Sequence, residues 1–348
     1  MSMEQITWTQ NGVTQVWKLL PGGTIGTLAD CILEQEAKKD QAGIEKILAI
    51  RSGDIQKVRA IQRVEGVDIT REPISQSLHT LHGIPVTVFR PERPAEDRPC
   101  VIFFHGGGWQ YGGTRIIAPA CRYLAEQADA VVVSPDYRLA PEHKWPAGPQ
   151  DCWDTLLWVH DQAQELGIDS KRVFVCGDSA GGNLAALCSH RDRDEGTHRI
   201  AGQILYYGAL AVGDPVGLPG YSFTLNDYIM EDSAREQLIP RIQALYNASK
   251  RTHPNYLPEG IDGKNSAVSP LWDSRFDQLP PTLVITAQYD YLTQQNRAYA
   301  ARLADAGVPV TWMNYCGMTH AFVDRVGVFP QADDSLREAA AFIRRTHG

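Results

Sequence analysis

From about residue 85 onward, short apolar runs alternate with longer stretches whose apolar positions recur at helical spacing. The runs are VTVFR (86–90), CVIFFH (100–105), AVVVSPDY (130–137), RVFVCG (172–177), IAGQILYYG (200–208), PTLVITA (281–287) and VTWMNY (310–315). Several are apolar throughout, as strands covered on both faces are. Between them the pattern predicts helices over 116–127, 151–166, 180–191, 294–306 and 333–345. This alternation predicts an α/β fold with a mostly parallel central sheet flanked by helices.

Two stretches break the rhythm. Residues 1–80 are polar-rich, with helical candidates over 29–50 and 53–63. Residues 209–268 are rich in Pro, Gly and Tyr, with one helical patch over 232–247. Sixty residues are too many for a plain connection inside an α/β alternation. Both stretches are therefore expected to form a helical cap, over a catalytic core made of 81–208 and 269–348. The Pro-rich segment 90–98 reads as a surface loop.

Composition narrows the partners. The chain has 348 residues, 43% hydrophobic and 21% charged, which excludes a disordered chain. A formal net charge of −8 argues against nucleic acid, which needs a basic face. No apolar run reaches the roughly 18 residues of a membrane span, and MSMEQITWTQNG lacks a basic start followed by an apolar stretch. Seven scattered cysteines, none in a C-x-x-C pair, fit reduced thiols. A cytoplasmic location is expected.

Gly177-Asp178-Ser179-Ala180-Gly181 lies between an apolar run and a helical stretch. This is G-x-S-x-G in the strand–turn–helix setting that exposes a serine hydroxyl on a strained turn. His105-Gly106-Gly107-Gly108-Trp109 follows another apolar run. Successive glycines let backbone N–H groups face a developing oxyanion. A phosphate-cradling loop fits poorly, because no G-x-x-x-x-G-K-[ST] continuation follows. His105 is expected to brace this loop.

A serine needs a base, and the base needs a carboxylate to orient it. Asp290 and His320 follow strand runs on the edge where open α/β sheets bind ligands. Asp273, Asp277 and Asp324 compete with Asp290 for the acid's role. His143, His190, His198 and His253 read as surface or structural. Arg138 and Glu142, helped by Asp151, are expected to fasten the loop after AVVVSPDY. Trp109 is a candidate wall of the substrate pocket. Tyr221, Phe223, Tyr228 and Met230 suit either substrate contact or a small cap core.

With these residues in place, the chain resembles the hormone-sensitive-lipase-like carboxylesterases of the α/β-hydrolase fold. The resemblance rests on HGGGW (105–109), DYRLAPEHKWPAGPQD (136–151), GDSAGGN (177–183) and GMTHAF (317–322). It implies Ser179 as nucleophile, His320 as base and Asp290 as orienting acid. It also implies an oxyanion hole from the N–H groups of Gly107, Gly108 and Ala180. The implied activity is hydrolysis of short to medium acyl esters of small molecules, without metal, nucleotide or redox cofactor. An amidase, arylformamidase, thioesterase or acyltransferase on the same machinery is the nearest alternative. A ligand-binding receptor on an inactive hydrolase fold is the other. The chain departs from the family's DPLRDEG run, reading Asp290-Tyr291-Leu292-Thr293-Gln294-Gln295-Asn296, and has Ala321 where Gly is common. The resemblance also implies a homodimer paired through an edge strand, for which VTWMNY is the candidate.

Overall fold

The computed structural model describes residues 3–37, 45, 49, 53–250 and 253–346. Its strands are β1 (Glu4–Gln10), β2 (Val13–Leu19), β3 (Ile74–Leu81), β4 (Ile84–Pro91), β5 (Arg98–Phe104), β6 (Val131–Pro135), β7 (Ile168–Asp178), β8 (Gly202–Tyr206), β9 (Thr282–Tyr289) and β10 (Val310–Thr319). They form one sheet in the order β1-β2-β10-β9-β8-β7-β5-β6-β4-β3. From β6 across to β2 every neighbouring pair is parallel, while the β1–β2, β3–β4 and β4–β6 pairs are antiparallel. The seven apolar runs are β4 to β10.

Their uniform hydrophobicity has a direct cause. Ile102 and Phe104 of β5 enter the apolar cluster on one face, and Val101 and Phe103 enter the cluster on the other. Helices Ala147–Asp161, Ala180–Asp194 and Thr293–Asp305 cover the first face, and Thr114–Ala128 and Pro330–Arg345 the second. Each large side chain fully buried this way contributes about 1.5–3 kcal/mol. Because the central strands run parallel, the carboxyl ends of β5, β7, β9 and β10 share one edge.

The N-terminal stretch departs from expectation. β1 and β2 form a hairpin turned at Asn11 (φ 49°) and Gly12 (φ 76°). β2 then pairs in parallel with β10, from Thr14 opposite Thr311 to Lys18 opposite Tyr315. Residues 4–19 and 74–81 thus belong to the sheet, and the expected boundary at residue 80 cuts across it. The hairpin also occupies the free side of β10, so VTWMNY is not an edge strand and cannot pair two copies. The outer strands are β1 and β3.

The helix expected over 29–50 is seen as Asp30–Ala37; the rest, apart from residues 45 and 49, lies outside the described residues. The helix expected over 53–63 spans Ile55–Ile61, where Asp54 accepts the Lys57 N–H at 2.9 Å and so satisfies a free first-turn donor. The mid-chain insertion carries the helix Asp232–Ser249. Its Ala234, Leu238 and Ile242 pack with Tyr228, Met230 and Tyr289 of β9 into a small apolar core. Tyr228 and Met230 therefore belong to the insertion's own core. All seven cysteines are free thiols, six of them buried. No helix among the described residues is long and apolar enough to cross a membrane.

Candidate active site

β7 ends at Asp178 and a helix begins at Ala180, which leaves Ser179 alone on the turn at φ 55°, ψ −114°. Such backbone strain costs on the order of 1–3 kcal/mol and persists only where neighbours enforce it. Here the Ser179 N–H donates to the Tyr206 carbonyl at 2.9 Å, and the Ser179 carbonyl accepts from the Ala209 N–H at 3.0 Å. Gly181 lets the turn press on β5, since a Cβ there would stand 1.9 Å from the Phe104 carbonyl oxygen. The helix N-terminus behind Ser179 favours negative charge at this point.

His320 follows β10 directly and Asp290 follows β9 directly. The His320 Nε2 lies 3.0 Å from Ser179 Oγ, and its Nδ1 lies 2.6 Å from Asp290 Oδ2. Asp290 is 1% exposed, and its Oδ1 accepts the Leu292 N–H at 3.0 Å. The Tyr207 ring centre is 4.9 Å from that of His320, and Tyr207 Oη accepts the Val323 N–H at 3.2 Å. Among the competing acids, Asp273 is engaged elsewhere by His190 and Arg193, and Asp277 is exposed. His190 is thus a buried structural group and not a surface one.

The glycine loop leaves the end of β5 beside the serine turn. His105 stacks on Tyr137 with ring centres 4.2 Å apart, and Tyr137 Oη donates to the His105 carbonyl at 2.8 Å, so His105 braces the loop. Gly107 (φ +123°) admits no side chain, because a Cβ would meet the Tyr111 carbonyl oxygen at 1.9 Å. Its carbonyl accepts from the N–H groups of Gln110 and Tyr111, both at 3.0 Å. The N–H groups of Gly107, Gly108 and Ala180 have no acceptor among the described residues.

Sequence reasoning passed over Asp178, although it stands next to the serine. Its Oδ1 accepts the Gly106 N–H at 2.7 Å, which joins the serine turn to the glycine loop. Burial, reinforced by the negative charge of Asp324, pushes its carboxyl well above the usual carboxylate range.

The loop after β6 is fastened by two separate ion pairs. Arg138 holds Asp151 through both its guanidinium Nε, at 2.9 Å, and Nη2, at 2.7 Å. Glu142 pairs with Arg59 of the N-terminal helix at 2.9 Å, and the Arg59 hydrogen bonds hold its carboxyl down at about 2. Arg59 also donates to the Gln110 carbonyl at 2.7 Å, so the N-terminal helix supports the glycine loop. Trp109 is buried and stacks on Tyr256 with ring centres 4.4 Å apart. Phe223 stacks on Tyr246 within the insertion.

This architecture defines an α/β-hydrolase, and a family model described as alpha/beta hydrolase fold matches residues 101–324. The chain belongs to the hormone-sensitive-lipase-like carboxylesterases within that fold, a family of carboxylic ester hydrolases. It is 35% identical over 265 residues to carboxylesterase NlhH of Mycobacterium tuberculosis, covering 76% of this chain and 79% of that protein. It is 33% identical to an arylesterase of Saccharolobus solfataricus, covering 70% of this chain and 74% of that one. Among solved structures, the hyperthermophilic esterase of Pyrobaculum calidifontis superposes with a TM-score of 0.68 at 30% identity, covering 91% of this chain and 98% of that one.

Proposed function

We propose that this carboxylesterase hydrolyses short to medium acyl esters of small molecules through an acyl-enzyme on Ser179. His320 Nε2 takes the hydroxyl proton as Ser179 Oγ attacks the ester carbonyl. Asp290 holds the His320 ring by its Nδ1–H and stabilises the imidazolium. The oxyanion is received by the N–H groups of Gly107, Gly108 and Ala180, each worth about 3–4 kcal/mol of barrier lowering. His320 then protonates the departing alcohol. Water, deprotonated by the same imidazole, releases the acid and restores the serine. Trp109, next to the oxyanion glycines, walls the pocket.

The observation that carries this reading is the relay of 3.0 Å from Ser179 to His320 and 2.6 Å from His320 to Asp290. The relatives named as esterases support the choice of esters over amides. The test is a series of nitrophenyl acyl esters from acetate to octanoate, against wild type and Ser179→Ala, with an anilide and a thioester alongside. Turnover of the esters by wild type and its loss in Ser179→Ala are expected. Equal turnover by Ser179→Ala would remove the nucleophile assignment, and faster anilide or thioester turnover would replace the ester preference.

A further inference from the structure

We propose that Gln288 is a positioning residue that makes the geometry of the triad depend on the cap. Gln288, on β9 two residues before Asp290, is 4% exposed, and both ends of its amide are used. Its Nε2 donates to the Ile229 carbonyl of the insertion at 3.2 Å. Its Oε1 accepts the Gly317 N–H at 2.8 Å, three residues before His320. One side chain therefore holds the cap with one atom and the histidine-bearing strand end with the other.

Further bonds close the circuit. Tyr289 Oη donates to the same Ile229 carbonyl at 3.1 Å, and Tyr228 Oη donates to the Asp290 carbonyl at 3.0 Å. The Gly317 carbonyl accepts the Ala29 N–H at 3.2 Å, and the Glu231 N–H donates to the Gly26 carbonyl at 2.9 Å. The segment after the β1–β2 hairpin thus joins the insertion to the His320 strand from the other side. Gly317 is held at both its N–H and its carbonyl. At φ +75° a Cβ there would come within 2.7 Å of the Ala29 nitrogen, so this close approach requires glycine.

Physically, a shift of the insertion pulls on Ile229, and through Gln288 and Tyr228 on the mounts of both His320 and Asp290. Misplacement of a reacting group by about 1 Å can cost a hundredfold in rate. The insertion then sets the aim of the base, whether or not it also touches substrate. This inference rests on the triad reading above.

The test separates positioning from substrate contact. Gln288→Met keeps the side-chain length and removes both hydrogen bonds. Tyr228→Phe removes only the bond to the Asp290 carbonyl. Tyr289→Phe, which keeps its ring in the cap core, serves where Gln288→Met fails to fold. Steady-state kinetics on nitrophenyl acetate and octanoate are compared with thermal unfolding and with the low-field proton resonance of the His320 Nδ1–H, assigned by its loss in His320→Ala. The expectation is a fall in kcat of about tenfold for Gln288→Met, with KM little changed, equal for both esters. A shifted or broadened His320 resonance is expected in the folded variants, including in the absence of turnover. Unchanged kcat with an unchanged resonance overturns the proposal. So does a loss confined to KM for octanoate, which would mark the cap as a substrate contact alone. Inactivity of wild type toward every ester would sink the esterase reading, while the resonance would still decide the positioning role.

Discussion

Replacing Asp290 by Asn measures how much of the serine's reactivity comes from one buried charge. Asp290 is 1% exposed, with Oδ2 2.6 Å from His320 Nδ1 and Oδ1 on the Leu292 N–H. In the proposed mechanism an imidazolium forms against this carboxylate when His320 takes the serine proton. Opposite unit charges about 4 Å apart, at an effective dielectric of about 20, attract by about 4 kcal/mol. The attraction is fully developed only after proton transfer, so it lowers the barrier instead of tightening the ground state. At about 1.4 kcal/mol per factor of ten, its loss lowers kcat roughly a thousandfold. Asn can also present its NH2 to Nδ1 and leave Nε2 protonated, unable to accept from serine, which deepens the loss. The assay is kcat and KM on nitrophenyl butyrate, with thermal unfolding as the control for fold. KM should stay close to wild type, because Asp290 is buried against His320 and the Leu292 N–H. A folded Asp290→Asn that loses less than about tenfold in kcat refutes the reasoning.

Two further outcomes follow from the same geometry. Gly181→Ala drives a Cβ into the Phe104 carbonyl, 1.9 Å away, and separates the serine turn from β5; unfolding and kinetics should show a loss of about 3 kcal/mol of stability and a collapse of kcat, and wild-type values for both contradict the close-approach argument. Asp273 would be raised by burial, but the hydrogen bonds from His190, the Arg275 N–H and Arg193 outweigh burial and hold its carboxyl well below its ordinary 3.8. A carboxyl lowered in the folded state adds stability above the unfolded value and loses it as pH falls through the folded one. Asp273→Asn should therefore cost about 2 kcal/mol near neutrality, and the gap to wild type should narrow below pH 3.8; a gap that stays constant into acid contradicts the assignment.

The parts of the fold readable from sequence are those with one physical role. β4 to β10 are covered by helices on both faces along most of their length, so their residues are apolar in unbroken runs. β1 is exposed along all seven residues, and β3 is covered mainly at Ile74. EQITWTQ and ISQSLHTL consequently read as polar chain. A signal was nonetheless present: Asn11–Gly12 and His82–Gly83 adopt the positive φ of two-residue hairpins, and Asn-Gly is the strongest short hairpin cue. The residues of the proposed triad could be selected because each stands immediately after a parallel strand, ending at residues 178, 289 and 319. Gln288 and Asp178 escaped notice because their roles are exerted through backbone groups of distant segments, Gly317 and Gly106, which no spacing along the chain reveals. Glu142 and Arg138 are neighbours in sequence yet belong to two separate ion pairs, because Arg59, which claims Glu142, is 83 residues away.

The most direct measurement is covalent labelling of the wild-type enzyme with a fluorophosphonate, followed by mass spectrometry of the digested peptides. The account predicts stoichiometric phosphonylation of Ser179, absent in Ser179→Ala and strongly slowed in His320→Ala. Label on another residue, or equal labelling of wild type and His320→Ala, would contradict the claim that an imidazole-activated Ser179 is the nucleophile.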